Sequence, residues 1–148
     1  QNALSCFTRG QIICPLKQDF AQTLEAAGTL TAPNSTFAVM RQDWNNGTEV
    51  RYLSLRPLVY AFKDKGFLVY SNHTVLRRWN ELFLLEKEIY RKSTTPDQQR
   101  SLAVAFARES GANYLLTDFP FTPAEILTFR LDLSYQNGKL MILKINPQ

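Results

Sequence analysis

Arg41, Asp43 and Trp44, then Lys63 and Asp64, then Asp118 each stand directly after a short apolar run, and no other pattern in the chain is so suited to chemistry. If the three runs are parallel strands, their carboxyl ends share one rim of a sheet, where side chains from several strands converge. A guanidinium, an ammonium and carboxylates beside an indole can hydrogen-bond a sugar or a phosphate-bearing head group. Asp43, Asp64 and Asp118 could also serve as acid and base, but that needs carboxylates in unlike environments, which the sequence does not display. The plainer alternative is that strands end in charge because they end at solvent, with Lys63 and Asp118 forming an ordinary ion pair.

Other catalytic patterns are missing. Gly10, Gly28, Gly47, Gly66, Gly111 and Gly138 are all isolated, so no glycine-rich phosphate loop exists and no cofactor is expected. His73 precedes Thr74 at a predicted helix start, with no serine or cysteine motif near it, and reads as a capping or surface residue. Cys6 and Cys14 flank Arg9-Gly10, a turn that can bring the sulfurs together; a bridge and two buried free thiols both fit that spacing. Two cysteines and one histidine are too few for a tetrahedral zinc site, so no metal is expected. Trp79 follows the central strand as a ligand platform would, but its spacing from Val75 and Leu82 makes it core.

The elements that must position these residues alternate in type. Asp19 to Leu30 carries Phe20, Leu24 and Ala27 on one helical face, with Gly28 as its expected stop. Thr36 to Met40 reads as a strand and Thr48 to Leu55 as a short helix ended by Pro57. Leu58 to Phe62 is a continuous apolar run, expected to be a central parallel strand covered on both faces. Thr74 to Lys92 repeats apolar residues every three or four positions, and a second helix opens at Thr95-Pro96-Asp97-Gln98 with the signature of a capping box. Ala112 to Thr117 is a further buried strand. Ile126 to Tyr135 and Lys139 to Ile145 flank Asn137-Gly138, a strong hairpin signal. The predicted fold is α/β: a three-layer, Rossmann-like parallel sheet with a C-terminal antiparallel β-hairpin at its edge. Residues 1–148 are read as one domain, with a cysteine-containing segment at 1–18, an α/β core at 19–118 and the hairpin in 119–148.

A chain of 148 residues with 45% hydrophobic residues can bury a substantial core. The net charge of +4 is spread among interspersed acids, so a nucleic-acid partner is not expected. No apolar run has the length to cross a bilayer, and the N-terminus lacks the sections of a signal peptide, so this piece is expected to be soluble. Starting at Gln1, it reads as an excised domain or processed product. Asn34, Asn46 and Asn72 open three sequons in polar segments, a frequency that chance nearly supplies.

The segments TAPNSTFAVMRQDW, RYLSLRPLVYAFKD, VLRRWNELF and ARESGANYLLTD together resemble the soluble C-terminal domain of a poorly characterised family of bacterial polytopic membrane proteins, themselves similar to type C glycosyltransferases. The likeness rests on Arg56-Pro57, Lys63, Trp79 and Gly111-Ala112-Asn113-Tyr114, and covers about Thr31 to Asp118. Ala32 between Thr31 and Pro33, and Asn80 after the tryptophan, depart from the family pattern. The resemblance implies an upstream membrane-embedded remainder of the same chain and an extracytoplasmic, periplasmic position, which favours a disulfide between Cys6 and Cys14. It also implies an accessory or substrate-recognition role without catalysis by this domain alone, with a lipid-linked sugar or sugar phosphate as ligand. A free-standing soluble hydrolase or transferase using the rim aspartates, and a secreted interaction module, are the alternatives.

Overall fold

The computed structural model of the chain describes residues 18–41, 47–61 and 73–147. In chain order these form α1 (Gln18–Leu30), β1 (Phe37–Met40), α2 (Gly47–Ser54), α3 (His73–Ile89), α4 (Pro96–Glu109), β2 (Tyr114–Thr117), a six-residue α5 (Pro123–Thr128), β3 (Leu131–Asn137) and β4 (Leu140–Ile145). The strands make one mixed sheet in the order β1-β2-β4-β3. Its one parallel pair is β1 with β2, while β4 runs antiparallel to both its neighbours.

Every residue of β1 is buried, as a strand covered on both faces requires. Ala38, Met40, Leu115, Met141 and Leu143 point to one face, against Trp79, Leu82 and Ile89 of α3 and Val104 and Phe106 of α4. Phe37, Val39, Leu116 and Ile142 point to the other, against Phe20 and Leu24 of α1 and Val50 of α2. The alternation follows the pleat. The helices present the spacing that reaches the sheet: Trp79, Leu82 and Ile89 lie along one stripe of α3.

Three expectations are corrected. Leu58 to Phe62 is not central: Leu58 makes a single parallel bridge to Phe37, on the side of β1 away from β2. Phe37 N–H donates to Pro57 O and Val59 N–H to Phe37 O, and no longer ladder follows among the described residues. Tyr60 and Ala61 are buried instead by α3 and α4, because the Tyr60 ring stacks on Trp79 and meets Phe106 edge-on, and Trp79 Nε1 donates to Ala61 O. An apolar run demands burial, and side chains of helices met that demand here. Phe62 lies outside the described residues. The second correction is that Ile126 to Thr128 are helical: Thr122 and Glu125 form a reciprocal capping box with Pro123 at the first turn, the same device that Thr95, Pro96 and Gln98 make for α4. The third is Gly28, which lies inside α1; a Cβ there would stand 2.9 Å from Ser54 O, so its lack of a side chain lets α2 approach.

The hairpin is where Asn137-Gly138 put it, with β3 at the sheet edge and a two-residue loop of Gly138 and Lys139 between the paired Asn137 and Leu140. Gly138 has a φ of 59°, which glycine takes at little cost.

Candidate functional site

Arg41 and Asp118 leave the carboxyl ends of the parallel neighbours β1 and β2, and the register that pairs Met40 with Thr117 puts them side by side. Arg41 Nε is 3.9 Å from Asp118 Oδ2, a charge contact longer than a hydrogen bond. Arg41 Cζ lies 4.0 Å over the Phe20 ring, so the guanidinium is held between a carboxylate and an aromatic face. Its backbone is held too, because Tyr90 Oη donates to Arg41 O at 3.0 Å.

These residues form one wall of a cleft of about 760 Å³. The first turn of α1 supplies Asp19 and Phe20, the first turn of α4 supplies Pro96, Gln99 and Arg100, and the chain after β2 adds Phe119 and Pro120. The hairpin turn closes it with Asn137 to Leu140. It reaches this rim because β4 runs antiparallel to β2, with Met141 beside Thr117, so the start of β4 meets the end of β2. Asn137 Nδ2 donates to Gln22 Oε1 and Asp19 O, tying the turn to α1.

Arg100 is locked on the far wall. It binds Asp97, and its Nε donates to Glu125 Oε1 at 2.7 Å. The Thr122 backbone N–H and hydroxyl, then Arg100, hold Glu125 below the usual carboxylate range. Behind the rim is a second polar group: Tyr60 Oη donates to Glu86 Oε2 at 2.9 Å. Burial raises the Glu86 pKa, and the Tyr60 hydrogen bond opposes the rise. Tyr90 is raised further from its ordinary value by burial, then by the carboxylates of Glu86 and Asp118.

Of the residues expected at the rim, Arg41 and Asp118 are described and adjacent. Asp43, Trp44, Lys63 and Asp64 lie outside the described residues, as do Cys6 and Cys14. Asp118 meets Arg41, not only solvent. Trp79 is 5% exposed and belongs to the core, and His73 is an exposed first residue of α3. Gln99, Arg100, Asn137 and Lys139 were not foreseen at the site; Thr95-Pro96 located the first turn of α4, but only the strand order carries the hairpin turn to the same rim. A second hollow, of about 530 Å³, lies at the α3–α4 turn beside Arg91 and Thr94. Among the described residues no group of histidine, cysteine and carboxylate side chains can hold a metal ion, and no helix is long and apolar enough to cross a membrane.

Two motif residues have structural work. Arg56, 8% exposed, donates Nε to Thr31 Oγ1 and NH2 to Thr31 O and Gly28 O, so it caps the last turn of α1. Asn113 Oδ1 accepts from Thr36 N and Oγ1, fastening the entry of β2 to that of β1. Compared with protein-family models, curated proteins and solved structures, the chain matches none.

Proposed function

We propose that the chain is a recognition domain that binds its ligand in the cleft at the carboxyl ends of β1 and β2 and does no catalysis alone. The observation that carries this reading is the Arg41–Asp118 pair set into the wall of an open cleft fed by five chain segments. A lone strand-end salt bridge at solvent would not need such a cleft. The wider assignment is an extracytoplasmic, periplasmic accessory domain of a bacterial membrane glycosyltransferase-like protein, with the membrane-embedded remainder of the chain as partner and a lipid-linked sugar or sugar phosphate as ligand.

What supports the wider assignment is the motif resemblance over Thr31 to Asp118; Arg56 and Asn113 act in it as determinants of fold. The helices on both sheet faces support reading the domain as three-layered and Rossmann-like. In the periplasm Cys6 and Cys14 would be bonded, and thiol titration of unreduced, denatured protein should find no free thiol; two reactive thiols would remove the compartment.

Calorimetric titration of sugars and sugar phosphates into the wild type and Arg41→Ala tests the site. Loss of a hydrogen bond from a charged group should weaken binding by about 1.5–3 kcal/mol. Equal binding by both proteins sinks the site, and turnover of a glycoside or ester by the purified domain sinks the non-catalytic role.

A further inference from the structure

We infer that the Tyr90 hydroxyl is the positioning group of the cleft: by holding Arg41 O it fixes where the Arg41 guanidinium stands between Asp118 and Phe20. The inference names a residue behind the cleft wall and rests on the ligand-binding reading above for its effect on affinity.

Arg41 needs such a hold. The β1–β2 ladder ends with Met40 beside Thr117, and the next bond, from Asp118 N–H to Met40 O, is already 3.4 Å long. Arg41 therefore projects from a backbone one residue past the ladder. Its Nε is buried without a hydrogen-bond partner among the described residues and stands 3.9 Å from Asp118 Oδ2. The Phe20 ring, 4.0 Å from Cζ, attracts the cation without directing its N–H groups. With Nε buried, Arg41 can meet a ligand only through its terminal nitrogens, at the end of a rotamer-rich side chain. Where they stand is set by the backbone that carries them, and Tyr90 Oη, 3.0 Å from Arg41 O, fixes that backbone.

Tyr90 is itself braced. It directly follows α3, and its N–H donates to Glu86 O at 3.3 Å, so it continues the last helical turn. Its ring meets that of Phe119 with 6.0 Å between centroids, and Ile89 O, one residue back, accepts from Gln99 Nε2. The end of α3 thus touches three residues of the cleft wall from three different segments: Arg41 after β1, Phe119 after β2 and Gln99 in α4. Ile89 is fully buried, which anchors this bracket in the core. Burial, then the Glu86 and Asp118 carboxylates, raises the Tyr90 pKa, so the hydroxyl keeps its proton and remains a donor.

Tyr90→Phe removes the hydroxyl and keeps the ring on Phe119. The first measurement needs no ligand: NMR of the whole chain follows the Arg41 side-chain signals, identified by their loss in Arg41→Lys. In the wild type the Phe20 ring should displace them upfield, and Tyr90→Phe should lose most of that displacement while the amides of Leu115, Leu116, Ile142 and Leu143 stay in place. Arg41 signals that do not move overturn the inference. So does a change spread over those core amides, which would make Tyr90 a residue of the fold and not of the site. The second measurement is calorimetric titration of glucose 1-phosphate. Tyr90→Phe should weaken its binding about fivefold, the share of one hydrogen bond, but less than about twofold when Arg41 is already alanine. Equal losses in both backgrounds would show that Tyr90 reaches the ligand by another route and would overturn the inference. A wild type that binds no sugar or sugar phosphate would remove the ligand-binding reading, and the Arg41 signals would then decide the positioning by themselves.

Discussion

Arg56 concentrates the exposed carbonyls at the end of α1 on one buried cation. Gly28 O and Thr31 O would otherwise lack partners at a helix terminus where the macrodipole favours positive charge. Arg56→Lys keeps the charge but not the planar fork, and Arg56→Ala removes both. The alanine variant should lose about 2–3 kcal/mol in urea unfolding and the lysine variant a smaller part, with no change in ligand affinity. A ligand effect at constant stability would move Arg56 from scaffold to site. Glu86 is the opposite kind of residue, a carboxyl that burial disfavours in its charged form. Its folded pKa stands above the ordinary 4.5, so its contribution is most favourable below that value and is lost as pH rises through the folded pKa. Glu86→Gln retains an acceptor for Tyr60 Oη and removes the titration. The variant should therefore gain stability relative to wild type as pH is raised from 4 to 8, read as the difference between thermal midpoints; a difference that does not vary with pH would show that Glu86 titrates normally.

Helix α1 shows how contact between elements can reverse a local preference. Replacing an interior helical glycine with alanine commonly stabilises by up to about 1 kcal/mol. At Gly28 the new methyl would stand 2.9 Å from the backbone oxygen of Ser54, which cannot rotate away. Gly28→Ala should cost about 1–3 kcal/mol as α2 is pushed off α1, measurable in chemical denaturation. A stabilised variant would mean α2 yields easily. That glycine also marks where the sequence stopped being informative. Periodicity located α1 and α3, the capping signature at Thr95-Pro96-Asp97-Gln98 located α4, and apolar runs located β1 and β2, since these signals are local. The same run at Leu58 to Ala61 was buried by Trp79 and Phe106 and reached the sheet with one bridge, an outcome decided by distant partners. Thr122, Pro123 and Glu125 carry the capping signature of α5, which reading Ile126 to Tyr135 as one strand left unused. Arg41 and Asp118 were legible as strand-end charges; Gln99 and Lys139 depended on which strand β4 would join.

At the scale of the whole molecule, the order β1-β2-β4-β3 makes a late strand the neighbour of β2. Residues from the two ends of the described chain thus share one rim: Asp19 and Arg41 come early, Lys139 late. The cleft exists only when this long-range arrangement is complete, so site and sheet should be lost together. Both β2 and β4 are flanked by strands, and Leu115, Leu116, Ile142 and Leu143 are at most 1% exposed. β3 has a neighbour on one side, a register irregularity between Leu133 and Tyr135, and exposed residues from Asp132 to Ser134. Opening free energies follow such differences in burial and pairing. Native-state hydrogen exchange should therefore find the slowest amides at Leu115, Leu116, Ile142 and Leu143, exchanging through global unfolding, with Leu133 and Ser134 exchanging faster through local opening. If the sheet instead centred on the Leu58 segment, the amides of Phe37 to Met40 and Val59 to Ala61 would be slowest, and the observed order of protection would reject the arrangement in which β4 completes the rim.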